Sequence, residues 1–214
     1  MTENAIDCHL YLISPSSFDL EQFKIDLEAA ISHPMVQSFQ LRMKDAARED
    51  IRTAIQTLMP ICHAHEVAFI LNDDAQLAGE MQCDGVHLGQ SDGSIKEARQ
   101  NLGFDIIIGA TCHDSLDMGY RAGEEGADYV AFGAFYPTST KETHHQPDPE
   151  ILTLWADATE LPVVAIGGIT AENAAPLVKA GAHFLAVSGF VWQHPRGVKA
   201  AVDELAKAID SAAT

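Results

Sequence analysis

Thr138, Ser139, Thr140 and Lys141 follow Pro137 and a short apolar stretch. Thr138 and Thr140 offer hydroxyls on alternate residues and Lys141 a point cation, the equipment for gripping a phosphate. Taken alone, the run also reads as a polar loop with an exposed lysine. Gln40, Arg42 and Lys44 alternate with Leu41 and Met43, so an extended chain would put the polar three on one side. Asn72 and Asp73, then Gln90 and Asp92, add amides and carboxylates. Thr111 and His113, the Gly167-Gly168 pair and Ser188 complete the set. Each has a plain structural reading as well. Arg42 and Lys44 suit a solvated rim, Asp73 and Asp92 suit helix N-caps, and His113 suits a structural imidazole.

The elements that must position these residues alternate regularly. Apolar strand signals cover 9–14, 38–43, 68–71, 85–88, 105–109, 129–132, 162–166 and 184–187. Helical patterns lie between and after them, near 19–31, 48–65, 76–81, 94–102, 115–126, 149–158, 170–180 and 195–209. Asp19 and Thr170 read as caps, Pro60 should kink its helix, and Gly126 suits a helix end. Near-continuously apolar strands separated by helices imply a parallel sheet covered by helices. Eight such units predict an α/β fold, a (β/α)8 TIM barrel, with residues 1–214 as one catalytic domain. The alternative, a doubly wound open sheet, lacks its usual Gly-x-Gly-x-x-Gly turn after the first strand.

In such a barrel the active site lies at the C-terminal strand ends, where every polar residue above falls. That face gathers three cations, two separated carboxylates and glycine-rich turns that expose backbone amides. The amides near Gly167-Gly168 and Ser188 suit one phosphate. Arg42, Lys44 and Lys141 suit a more highly charged group. The two carboxylates would repel it unless a hard divalent cation bridged them, and magnesium accepts few carboxylates plus phosphate oxygens. The pattern predicts a magnesium diphosphate facing a phosphate monoester.

The totals narrow the partners. The formal charge of −18 argues against nucleic acid and anionic membranes. The 47% hydrophobic content argues against disorder, and no apolar run approaches the roughly 18 residues of a membrane span. The first residues carry no basic and apolar leader pattern, so the expected location is cytoplasmic. Cys8, Cys62, Cys83 and Cys112 show no Cys-x-x-Cys spacing and read as reduced, mostly buried thiols. His144 and His145 lie in a polar loop, solvated or ordered on closure.

Six stretches together resemble the thiamine phosphate synthase family, which includes the related thiazole tautomerases. They are Gln40-Leu41-Arg42-Met43-Lys44; Asn72-Asp73; His87-Leu88-Gly89-Gln90-Ser91-Asp92; Phe132-Gly133 with Pro137 to Lys141; Ala165-Ile166-Gly167-Gly168-Ile169; and Val187-Ser188. The resemblance spans essentially the whole chain. It implies a transferase that joins 4-amino-2-methyl-5-hydroxymethylpyrimidine diphosphate to a thiazole phosphate, releasing diphosphate. It further implies that Gln40 to Lys44, Asn72, Thr111 and Lys141 hold the pyrimidine diphosphate. Asp73 and Asp92 would hold Mg2+. Thr138, Ser139, Thr140, Gly168, Val187 and Ser188 would hold the thiazole phosphate. Lys141, Arg42 and Lys44 would stabilise the departing diphosphate, with no protein nucleophile. Partners would be small molecules, with a homo-oligomer left open. Two features depart from the family pattern: Thr111 stands where serine is usual, and the tract from Glu142 to His145 is rich in histidine. His113 occupies a loop where the tautomerases place a catalytic histidine.

Overall fold

The computed structural model describes residues 7–138 and 145–213. Eight parallel strands close into a barrel in sequence order. They are β1 (His9–Ile13), β2 (Val36–Leu41), β3 (Ala68–Asn72), β4 (Gly85–Leu88), β5 (Ile107–His113), β6 (Tyr129–Phe132), β7 (Val163–Ile166) and β8 (Phe184–Val187). The barrel is sealed by pairing of β8 with β1, His9 opposite Phe184 and Leu12 opposite Val187. The outer helices are α1 (Leu20–Ile31), α2 (Arg48–Ala64), α3 (Ala75–Glu80), α4 (Ile95–Leu102), α5 (Leu116–Glu124), α6 (Glu150–Ala158), α7 (Ala175–Lys179), α8 (Gly189–Trp192) and α9 (Val198–Ala212). Among the described residues no helix is long and apolar enough to cross a membrane.

The period of two along each strand divides the core. Leu10, Leu12, Phe39, Leu41, Phe69, Leu71, Val86, Leu88, Val130 and Phe132 belong to a layer shared with the helices. Tyr11, Ile13, Ile70, Tyr129, Ala131, Val164 and Ala186 form a second cluster inside the barrel. Burial on both faces is why these strands read as continuous apolar runs.

Most helices begin where the sequence signals them. Asp19 accepts from the Gln22 amide at 2.9 Å, and Asp74, Ser94 and Ser115 cap α3, α4 and α5 in the same way. Helix α2 continues through Pro60. Three local expectations need correction. The fifth strand runs on to His113, because its ladder with β6 continues past an irregularity between Thr111 and His113. Thr170 caps no helix: its amide donates to Asn173 Oδ1 at 2.8 Å, and α7 starts only at Ala175. A short helix, α8, intervenes after β8, held by Trp192 Nε1 donating to the Ile13 carbonyl at 2.6 Å.

At the opposite, N-terminal face Arg99 is 7% exposed and works as a staple. Its guanidinium donates to the carbonyls of Gly103, Ile106 and Gly126 and to Asp128. Asp128 in turn accepts from the Ile108 amide, tying the entries of β5 and β6.

Candidate active site

The carboxylates sit on adjacent loops. After β3 the chain turns so that Asp74, not Asp73, caps α3, its Oδ1 accepting from Leu77 N at 2.8 Å. Asp73 takes a left-handed φ of 69° and donates its amide to the His87 carbonyl at 2.8 Å, which ties the loop to β4. After β4, Ser94 caps α4, while Asp92 Oδ2 accepts from Gly89 N at 2.9 Å and closes the turn. Capping is therefore done by neighbours, and Asp73 and Asp92 line one cavity of about 410 Å³ with Asp74 and Glu97. Among the described residues no group of three or more His, Cys, Asp or Glu side chains is arranged to hold a metal. Two carboxylates in an open cavity fit a hard cation that takes its other ligands from water and phosphate, as magnesium does.

Strand β2 brings the cationic side. Gln40 faces the barrel interior and is 3% exposed, whereas Leu41 and Met43 pack toward the helices. Any contact from Leu41 or Met43 to a ligand would thus come from backbone. Arg42 lies just beyond the strand, held by Ser14. The Ser14 hydroxyl accepts from Arg42 N at 2.8 Å and lies 3.3 Å from the Arg42 carbonyl. Lys44 is exposed. Among the described residues neither Arg42 nor Lys44 pairs with a carboxylate, although the chain carries an excess of acids. Asn72 ends β3 opposite His87 in register, partly exposed at the same rim.

Thr111 faces the interior from β5, and Gln90 reaches its carbonyl through Nε2 at 2.5 Å. The Thr111 hydroxyl meets His87 Nε2 at 2.8 Å, and His87 Nδ1 meets the Tyr129 hydroxyl at 2.9 Å. Tyr129 in turn meets the Tyr11 hydroxyl at 2.8 Å, which accepts from Gln40 Nε2 at 2.9 Å. Burial pushes both phenols above their ordinary range, so they stay protonated. Sequence reading missed this chain. Tyr11, His87 and Tyr129 sit at inward positions of apolar strands, where each alone looks like core.

The third side is built from the loops after β6, β7 and β8. Phe135 N donates to the Ile166 carbonyl and Tyr136 N to that of Gly167, both at 3.1 Å. Gly168 has φ 64°, and a Cβ there would stand 2.4 Å from the Pro137 carbonyl and 2.8 Å from that of Tyr136. The glycine is thus demanded by the loop that carries Thr138, before any ligand is considered. Asn173 adds a brace that sequence reading also missed. Its Nδ2 donates to the Gly168 carbonyl at 2.9 Å, and Tyr136 Oη donates to the Asn173 carbonyl at 2.7 Å. Val187 belongs to the layer under the helices, so it too could meet a ligand only through backbone. Ser188 stands at the N-cap position of α8 without a side-chain capping bond, and its hydroxyl lies 3.5 Å from the Ser14 carbonyl. Ser139, Thr140, Lys141 and His144 lie outside the described residues. His145 is not simply solvated. It stacks on His113 with ring centroids 4.7 Å apart, and its Nδ1 lies 2.9 Å from Asp114 Oδ1. His113 itself has a left-handed φ of 53°.

Known proteins resemble this chain along most of its length. The family model described as thiamine monophosphate synthase matches residues 10–191. The chain is 56% identical over 196 residues to a thiamine-phosphate synthase of Rhodospirillum centenum, covering 92% of this chain and 95% of that one. It is 47% identical over 217 residues to that of Erythrobacter litoralis, covering 99% and 100%. The solved thiamine phosphate pyrophosphorylase of Pyrococcus furiosus superposes with a TM-score of 0.83 at 28% identity, covering 97% of this chain and 98% of its own. With a family match across most of the barrel and relatives this similar end to end, the chain belongs to the thiamine monophosphate synthase family.

Proposed function

We propose that this chain is a transferase that joins 4-amino-2-methyl-5-hydroxymethylpyrimidine diphosphate to a thiazole phosphate, giving thiamine phosphate and diphosphate. The observation that carries the reading is the rim itself: Asp73 and Asp92 share one cavity, and Arg42 and Lys44 stand on the neighbouring strand end with no acidic partner among the described residues. Gln40 to Lys44, Asn72, Thr111 and Lys141 hold the pyrimidine diphosphate. Thr138, Ser139, Thr140, Gly167, Gly168, Val187 and Ser188 hold the thiazole phosphate, the last four largely through backbone. Arg42, Lys44 and Lys141 stabilise charge on the leaving diphosphate. Magnesium at Asp73 and Asp92 would neutralise diphosphate charge when bound. Among the described residues the rim shows no activated side-chain nucleophile, which suits a dissociative displacement in which diphosphate departs before the thiazole nitrogen is captured. Residues 1–214 act as one catalytic barrel with small-molecule partners, in the cytoplasm.

The test is incubation with both substrates and Mg2+, following products by mass. Thiamine phosphate and diphosphate in equal amounts, lost in excess chelator and regained on adding Mg2+, are expected. A thiazole tautomerase reading draws on His113, which stacks on His145 beside Asp114. Proton exchange on a thiazole carboxylate without diphosphate release would favour it.

A further inference from the structure

The chain of hydrogen bonds inside the barrel connects two residues assigned above to the pyrimidine diphosphate, Gln40 and Thr111, and it does so by a detour. In register, Gln40 is level with Ile13, and Thr111 with Ala131. Tyr11 and Tyr129 lie one inward layer deeper, so the chain descends from the rim at Gln40 and climbs back to it through His87. The barrel makes room for this path. A Cβ on Gly109 would stand 2.0 Å from Tyr129 Cζ and 2.3 Å from its hydroxyl, so β5 gives up a side chain where the phenol crosses. The His87 ring stacks on the Tyr129 ring at 5.6 Å, which holds both hydrogen-bonding groups in line.

A chain of single hydroxyls and one neutral imidazole has only two consistent polarities. In the first, Gln40 Nε2 donates to Tyr11, Tyr11 to Tyr129 and Tyr129 to His87 Nδ1, and His87 Nε2–H donates to Thr111. The rim is then offered the Gln40 carbonyl, an acceptor, and the Thr111 hydroxyl proton, a donor. In the second, every bond reverses with a flip of the amide, and the rim is offered an amide donor and a hydroxyl acceptor. The placement of Gln40 Nε2 against Tyr11 Oη is the one the first polarity requires.

We propose that Tyr11, Tyr129 and His87 are positioning residues that lock this polarity, so that Gln40 accepts from an exocyclic amino group while Thr111 donates to an anionic phosphate oxygen. The inference rests on the aminopyrimidine diphosphate reading above and adds what enforces it. An amine at one end and a diphosphate at the other is the pair of groups the first polarity accepts. An oxo group in place of the amine would need the second polarity and would leave Thr111 with the wrong face. The relay thus couples discrimination at the ring to grip on the phosphate.

Tyr129→Phe removes the central hydroxyl and little volume, and Tyr11→Phe breaks the same chain one step earlier. Full-length wild type and both variants are assayed with the 4-amino substrate and its 4-oxo analogue as diphosphates. In the wild type the amino substrate is strongly preferred. Each variant should lose about tenfold in kcat/KM for the amino substrate, the scale of one buried hydrogen bond. The preference over the oxo analogue should shrink by at least as much, and KM for the thiazole phosphate should stay unchanged. The double variant should be no worse than the poorer single one, because one chain is broken in each. A purely structural role would lower thermal stability and leave the amino-to-oxo ratio alone. Independently of activity, the ¹⁵N shifts of the His87 ring, assigned by their loss in His87→Gln, should report the Nε2–H tautomer at neutral pH. The Nδ1–H tautomer, or an unmoved ratio in both variants of an active enzyme, would overturn the relay. A wild type with no turnover of the aminopyrimidine diphosphate would instead overturn the functional reading and this inference with it.

Discussion

At the scale of single residues, the division of labour between neighbouring acids is the informative feature. Asp74 and Ser94 take the capping tasks, and that leaves Asp73 and Asp92 to share a cavity. Carboxylates placed beside a diphosphate in a protein of charge −18 raise the cost of binding it unless a cation intervenes. Asp92→Ala and Asp73→Ala should therefore each raise the Mg2+ concentration needed for half-maximal turnover. The double variant should be little worse than the poorer single one, since both serve one ion. Additive losses in the magnesium titration would mean two separate roles. Lys141 carries the complementary task. Lys141→Ala should lower kcat by roughly 10²–10³, the effect of removing one stabiliser of developing charge. Its melting temperature should match the wild type, and near-normal turnover would exclude the role.

At the scale of elements, the rim depends on loops packing against one another. The β7 turn and the loop after β6 meet backbone to backbone, and Gly168 sits at one point of close approach. Gly168→Val both strains a φ of 64° and drives a side chain at the Pro137 carbonyl 2.4 Å from where its Cβ would lie. The displaced segment carries Thr138. The expected result is a KM for thiazole phosphate raised about tenfold or more, a smaller change for the pyrimidine diphosphate, and a lowered melting temperature. Equal changes in both KM values would show that the two anion sites are assigned to the wrong loops.

At the scale of the molecule, the closed sheet also sets the response to pH. His183 lies in the turn before β8, where Val163 N donates to its Nδ1 at 3.3 Å. Burial holds its imidazole below the ordinary value of 6.5, against a smaller upward pull from Asp7. The unfolded chain therefore takes a proton more readily than the folded one. Above about 6.5 neither state is protonated there and His183 adds no pH dependence; below it, stability falls until the folded imidazole also protonates. The melting temperature should drop as pH falls below that point, and His183→Gln should remove part of the slope. An unchanged slope would exclude the assignment. Closure also accounts for how much could be read in advance. The alternation of apolar runs and helical patterns determined the barrel, since a strand buried on both faces must be apolar along its length. Rim position followed from it, and so did the side of the strand for Gln40 and Leu41, because side chains alternate with a strict period of two. The exchange of roles within Asp73-Asp74, the brace from Asn173 and the short α8 had no periodic signal. The buried relay had even less, for its Tyr11–Tyr129 bond spans 118 residues. Such contacts depend on strand register around a closed ring and on where Gly109 leaves space, and only the tertiary structure brings those together.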